Sequence, residues 1–290
     1  MSHGYANCAL ATCYRHPDRE TGLSCSECGR PICTDCVTFA PVGLRCPDHA
    51  GVSHQTATRA VRSVQRPLAR RGIVIRGAIV TRALVALNVI IYLVTVAQGG
   101  GINDPGGPLF DRWLLYGPFV ANGDWWRLLT ACFLHVGIWH IAVNMYALWW
   151  LGSVVEGAIG SLRFALLYIG SGLAGSAGAL LWNPHAPTVG ASGAIFGMLG
   201  AGLLLEWRAT GRLMGGFAVM ILINLAFTFG FSSFISVGGH VGGLVGGLVG
   251  TAIILARRGQ PQTDAVTIAG LVGVGVASIV VAYLRVRGMA

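Results

Sequence analysis

From about residue 78 almost to its end, this chain is one apolar stretch after another. No other feature limits its possible folds so strongly. A segment of ~20 apolar residues is long enough to cross ~30 Å of hydrocarbon. Inside lipid a backbone must satisfy its own hydrogen bonds, which a helix does. Seven segments read as helical spans: 79–97, 136–155, 162–182, 191–206, 213–231, 237–256 and 265–284. The fourth is short, as for a helix that starts below the membrane surface. The expected class is an all-α polytopic membrane protein. Composition agrees: only 11% of residues are charged, against about 25% in soluble domains.

Two further zones precede the spans. Residues 1–50 are rich in Cys and His, and residues 51–77 form a polar, basic linker. The net charge is +9, and all 20 basic residues are arginine. They cluster in the N-terminal third and in short loops rather than along a binding face, so no nucleic-acid partner is expected. The linker carries Arg59, Arg62, Arg66, Arg70, Arg71 and Arg76, which predicts a cytoplasmic N-terminus. The first fifty residues lack an apolar core segment, so no signal peptide is expected. Alternation then puts Arg163, Arg208, Arg212, Arg257 and Arg258 inside as well, while Arg285 and Arg287 fall outside, against the rule. A multi-pass protein of the cell membrane follows.

Ionisable or strongly polar side chains within spans are costly and by default mark function. His140 and Asn144 sit four apart, on one face, early in the second span. Ser192 lies in Gly190-Ala191-Ser192-Gly193 at the start of the fourth, and His240 near the start of the sixth. These three spans run in the same direction, so all four side chains are expected in one layer near the outer face. Gly239, Gly243 and Gly247 repeat every four residues, as do Gly193 and Gly197. Small residues at this spacing let backbones approach closely, which would bring Ser192 within reach of His240 as nucleophile and base. The Ser192 N–H, His140 and Asn144 are candidate donors to an oxyanion.

Residues 135–144, HVGIWHIAVN, resemble the second-helix motif of the rhomboid family. Gly190-Ala191-Ser192-Gly193 resembles its GxSG motif, and His240 with Gly243 and Gly247 its histidine–glycine motif. Trp126-Arg127 and Glu156 also have counterparts there; Gly239 stands where Ala is commoner. The resemblance covers 79–256. It implies a six-helix core over 78–256, with 257–290 as an extra span and tail. It further implies a serine endopeptidase with a Ser192–His240 dyad, no third acid and no catalytic cofactor. Its substrates would be single-span membrane proteins in the bilayer, cut near the outer boundary. His140, Asn144 and the Ser192 N–H would hold the oxyanion, and Phe196 would pack on the His240 ring. His135 is expected to be structural through hydrogen bonds in its loop, and Cys132 to be a small buried residue.

The N-terminal zone holds four ligand pairs, each with two intervening residues: Cys13/His16, Cys25/Cys28, Cys33/Cys36 and Cys46/His49. Eight such ligands make two closed tetrahedral Zn2+ sites, and in a cytoplasmic module zinc is favoured over disulfides. Cys8 is a spare thiol. The pattern resembles the B-box type of zinc finger, which implies cross-bracing. One site would then take Cys13, His16, Cys33 and Cys36, the other Cys25, Cys28, Cys46 and His49. Spacing alone leaves sequential pairing open. Both ions would be structural, and a cytoplasmic protein partner for the module is compatible with this. The competing functions are a non-catalytic rhomboid-like binder, a transporter and a receptor. A transporter needs polar groups across the whole bilayer, and a receptor needs a cavity that Gly-rich spans do not favour.

Overall fold

The computed structural model describes residues 11–39, 43–50 and 78–289. The basic linker 51–77 and Cys8 lie outside these described residues. The chain divides into two compact units, Met1–Val74 and Ile75–Ala290.

The first unit is built of two antiparallel hairpins, a feature that the ligand spacing did not predict. β1 (Ala11–Cys13) pairs with β2 (His16–Thr21), and β3 (Thr38–Phe39) with β4 (Leu44–Arg45). Among the described residues its buried centre consists of Cys13, Cys25, Cys33, Cys36 and Cys46 around a single aliphatic residue, Ile32. So little apolar surface cannot offset the chain entropy of folding. The cysteines occupy the place of a hydrophobic core.

The second unit is helical, as expected. α1 (Ile79–Gln98) leads into a long connection with three short helices: α2 (Pro108–Trp113), α3 (Gly117–Ala121) and α4 (Arg127–Thr130). α5 (Ile138–Ala147) runs through a π-turn at Leu148–Gly152 into α6 (Ser153–Ile159), forming one rod over Ile138–Ile159. α7 (Ser161–Trp182), α8 (Ser192–Thr210), α9 (Gly216–Gly230), α10 (Val237–Ala256) and α11 (Ala265–Val286) complete the unit.

All seven expected spans fall on helices, and five are long and apolar enough to cross a membrane: α1, the α5–α6 rod, α7, α10 and α11. α8 carries Glu206 and Arg208 in its last turns. α9 has 15 residues, a length of only ~22 Å. The second span extends to Ile159 rather than 155, and α8 to Thr210 rather than 206.

α7 is the central helix: 61% of its most apolar stretch is buried inside the protein, against 28% for α1 and for α11. α10 lies against α7 and α8 backbone to backbone. A methyl group added at Gly243 would overlap the Gly193 carbonyl, and one at Gly247 the Gly197 carbonyl. On the α7 side, methyl groups at Gly238 and Gly242 would run into Gly178 and Ala174. The four-residue glycine spacing therefore performs the close approach anticipated from sequence.

Polar groups tie the ends. Glu156 accepts hydrogen bonds from the Val80 and Thr81 N–H groups (3.1 and 2.8 Å), from the Thr81 hydroxyl and from Ser161. It thereby satisfies the first turn of α1, whose N–H groups have no helical partner. Arg163 at the start of α7 donates to the Gln260 and Pro261 carbonyls in the α10–α11 turn. At the opposite end of α7, Leu115, Val120 and Leu128 of the long connection pack with Ala282 and Val286 of α11. Arg127 is buried. It pairs with Asp124 at 2.8 Å, donates to the Asp111 and Leu114 carbonyls and lies over Phe119.

Candidate active site and metal centre

Ser192 opens α8, so its N–H and those just after it lack helical acceptors, and the positive end of the helix dipole lies beside its hydroxyl. Backbone pairs fix the approach to this point. Leu115 and Thr188 exchange N–H···O bonds of 3.1 and 2.9 Å, and Gly190 N–H donates to Ala131 O at 2.9 Å. Gly190 has φ +127°, and any side chain there would meet His140 Nε2 at 2.9 Å. Both facts require glycine at that position.

His240 lies in the first turn of α10, whose cap Ser236 accepts from Gly239 N–H at 3.2 Å. The glycine contacts between α8 and α10 put His240 Nε2 at 2.8 Å from Ser192 Oγ. The Phe196 ring, one turn along α8, stacks on the His240 ring with centroids 4.0 Å apart and planes 19° off parallel. The imidazole is thus held between a ring face and the serine.

His140 and Asn144 line the same cavity of about 560 Å3 as Ser192 and His240. The four side chains expected to lie together therefore share one cavity. Val136 N–H points at His140 Nδ1 (3.4 Å), which leaves Nε2 to carry the proton beside Gly190. Asn144 Nδ2 donates to the His140 carbonyl at 2.8 Å, so the carbonyl one turn back on its own helix engages its amide.

His135 departs from expectation. It is fully buried, yet neither ring nitrogen has a hydrogen-bond partner; its contact is ring to ring with His140, at 5.0 Å. Cys132 is buried beside Gly172, as expected of a small core residue.

Two residues, one beside His240 and one at the far end of α8, had no sequence signal. Thr228 Oγ1 lies 2.7 Å from His240 Nδ1. Glu206, near the end of α8, accepts from the Gly216 and Phe217 N–H groups at 3.0 Å each and so caps α9.

A helical unit of apolar helices thus brings a serine hydroxyl to a histidine nitrogen at a helix N-terminus. Residues 122–257 match the family model described as Rhomboid domain. Three relatives illustrate its range. Rhomboid protease GluP of Bacillus subtilis (strain 168) is 40% identical over 164 residues, which are 55% of this chain and 32% of that protein. RHOMBOID-like protein 1 of Arabidopsis thaliana is 39% identical over 113 residues, 37% of this chain and 29% of the relative. Inactive RHOMBOID-like protein 8 of Arabidopsis thaliana is 32% identical over 128 residues, 41% of this chain and 36% of the relative. This chain spans roughly a third of the length of each of these relatives. Their names include both protease and inactive, so the chemistry rests on the site rather than on the family.

In the N-terminal unit the eight Cys and His ligands form two groups. Cys13, His16, Cys33 and Cys36 make one, and Cys25, Cys28, Cys46 and His49 the other, with the ligand atoms of each group within 4.8 Å of one another. This is the cross-braced arrangement. Ligand atoms ~2.3 Å from one tetrahedral ion stand roughly 3.5–3.8 Å apart. Here His16 Nδ1 lies 3.9, 3.4 and 3.3 Å from the sulfurs of Cys13, Cys33 and Cys36. His49 Nδ1 lies 4.0 and 3.2 Å from Cys25 and Cys46, and Cys28 lies 3.8 Å from Cys46. The donor set fits a metal ion. Burial pushes the Cys13 thiol up, but backbone N–H groups of Arg15, Cys33 and His16 outweigh it and bring it down to about 6. Cys13 is then mainly thiolate, the ligating form, at neutral pH, whereas burial, with the neighbouring Cys13 and Cys33, pushes Cys36 up to about 12.

Proposed function

We propose that this protein is an intramembrane serine endopeptidase that cleaves single-span membrane proteins near the outer membrane boundary. The observation that carries the reading is the 2.8 Å contact between Ser192 Oγ and His240 Nε2. Ser192 attacks the scissile carbonyl; His240 takes the hydroxyl proton and returns it to the leaving amine. The Ser192 N–H and His140 Nε2–H stabilise the tetrahedral oxyanion, with Asn144 beside them in the cavity. No metal takes part in the peptide chemistry.

The basic linker supports a cytoplasmic N-terminus, with the site toward the opposite face. The organisation is a B-box-like module at 1–50, a linker at 51–77, a six-span core at 78–256 and an extra span with tail at 257–290. The module holds two structural Zn2+ ions, one in each four-ligand group, and its surface is open to a cytoplasmic protein partner.

The test is cleavage of a single-span reporter by the full chain, with labelling by a serine-directed fluorophosphonate. Ser192→Ala is expected to abolish both. His240→Ala is expected to abolish cleavage and to lower labelling by at least a hundredfold. Wild-type cleavage by either variant would overturn the dyad.

A further inference from the structure

The hydrogen bonds around His240 fix where its protons sit. Thr228 Oγ1 has two polar neighbours: the Asn224 carbonyl oxygen, its i−4 partner on α9, at 2.7 Å, and His240 Nδ1, also at 2.7 Å. A hydroxyl carries one proton. The carbonyl can only accept, so the threonine proton goes to Asn224 O. The His240 contact must then be Nδ1–H donating to Thr228 Oγ1. A neutral imidazole with its proton on Nδ1 has a bare Nε2, and the Ser192 hydroxyl donates to that lone pair. Three hydrogen bonds in series, from Ser192 through His240 and Thr228 to the Asn224 carbonyl, all point the same way.

We infer that Thr228 is a positioning residue for the dyad: through its hydroxyl on Nδ1 it holds His240 in the tautomer that can take the Ser192 proton. The inference rests on the dyad reading and adds a third, uncharged member to it. The hydroxyl of Thr228 bonds the Asn224 carbonyl and the His240 ring, and its role is exerted through that ring. Burial makes the contact matter: Thr228 is 1% exposed and His240 8%, so water does not compete for Nδ1. Without the threonine oxygen, the N–H would be buried unpaired, and the tautomer with Nδ1 bare and Nε2 protonated would gain population. That tautomer cannot act as base. When His240 becomes imidazolium during acylation, its Nδ1–H bond strengthens, so the contact favours the transition state over the ground state. Phe196 sets the plane of the ring, and Thr228 sets its rotation and its proton.

The test uses the full chain in liposomes, with Thr228→Val, which keeps shape and removes the oxygen, and Thr228→Ser, which keeps the oxygen. Thr228→Val is expected to lower kcat about tenfold with KM unchanged. Thr228→Ser is expected to stay within about twofold of wild type. Equal kcat in wild type and Thr228→Val, or equal losses in both variants, would overturn the inference. A second readout needs no substrate: 15N NMR of labelled histidine, with the His240 signal assigned by its loss in His240→Ala. An Nδ1–H signature in wild type that becomes mixed in Thr228→Val is expected, and an Nε2–H signature in wild type would overturn the inference. Ser192→Ala separates the two readings. Cleavage by that variant removes the dyad itself, whereas an inert Ser192→Ala beside a fully active Thr228→Val removes only the role of Thr228.

Discussion

The two units of this chain bring reactive side chains equally close by opposite means. In the N-terminal unit the ligand atoms of each group gather within 4.8 Å, in a region with one buried aliphatic side chain among the described residues. The membrane unit sets Ser192 and His240 2.8 Å apart by removing side chains, so that the α8 and α10 backbones touch at Gly193/Gly243 and Gly197/Gly247. Cysteines gathered this closely repel one another once they ionise, and a bound cation would offset that repulsion. A glycine seam needs nothing added, but it tolerates no added atom. Geometry can thus be fixed by a strong bond to a shared centre, or by the absence of anything in the way.

The largest effect that separates the two is metal removal. Structural zinc supplies roughly 10–16 kcal/mol of apparent folding free energy in small fingers. A chelator is expected to make the N-terminal unit fully sensitive to limited proteolysis, with two zinc ions released per chain. Reporter cleavage by the membrane unit is expected to stay unchanged. Proteolytic resistance that survives chelation would break the comparison on this side.

The next effect belongs to the seam. Gly243→Val sets a branched side chain against the Gly193 carbonyl. Overpacking of this kind costs ~1–3 kcal/mol, and displacing catalytic groups by 1 Å costs on the order of a hundredfold in rate. Reporter cleavage is expected to fall by about that factor, with a lower thermal midpoint. Val245→Ala on the exposed side of the same helix is expected to change neither. Equal cleavage by Gly243→Val and wild type would show that the seam does not position the dyad.

The smallest effect is electrostatic and lies outside the membrane segments. The Arg257 side chain, with the Thr267 hydroxyl and N–H, holds the Asp264 carboxyl well below the usual carboxylate range. A depressed folded value means stability that is present above the ordinary carboxylate range and is lost as pH falls through the lowered value. Wild type is therefore expected to melt slightly above Asp264→Asn at neutral pH, with the gap closing only in strong acid. A gap that persists in strong acid would place the effect in the Asn side chain instead.

Much of the site was legible because few physical rules govern a membrane helix. An ionisable side chain in lipid needs a reason, and glycines four apart put backbones in contact. Ser192, His240, His140 and Asn144 follow from those two rules, and the C-x2-C/H pairs follow from metal geometry. Thr228 was not legible. A threonine in an apolar helix commonly bonds its own i−4 carbonyl, as this one does, and nothing local shows that its oxygen also serves a ring twelve residues on. The hairpins of the N-terminal unit were hidden because strands of two to six residues are too short for alternation to register. The Asn144 amide and the unpartnered His135 were hidden too, since spacing places a side chain on a face without telling what it meets.

Glu206 holds the first N–H groups of α9, at Gly216 and Phe217, and Thr228 meets His240 near the far end. Between these attachments only Ala218 and Ile221 are buried. The helix is thus attached by its first turn and by one hydroxyl near its end, with few buried side chains between. Over the ~18 Å from Gly216 to Thr228, a tilt of about 5° moves the hydroxyl by ~1.5 Å. That travel parts a 2.7 Å hydrogen bond, so a small lean of one thin helix would break the Thr228–His240 contact while the Gly193/Gly243 and Gly197/Gly247 contacts, which involve other helices, stay closed.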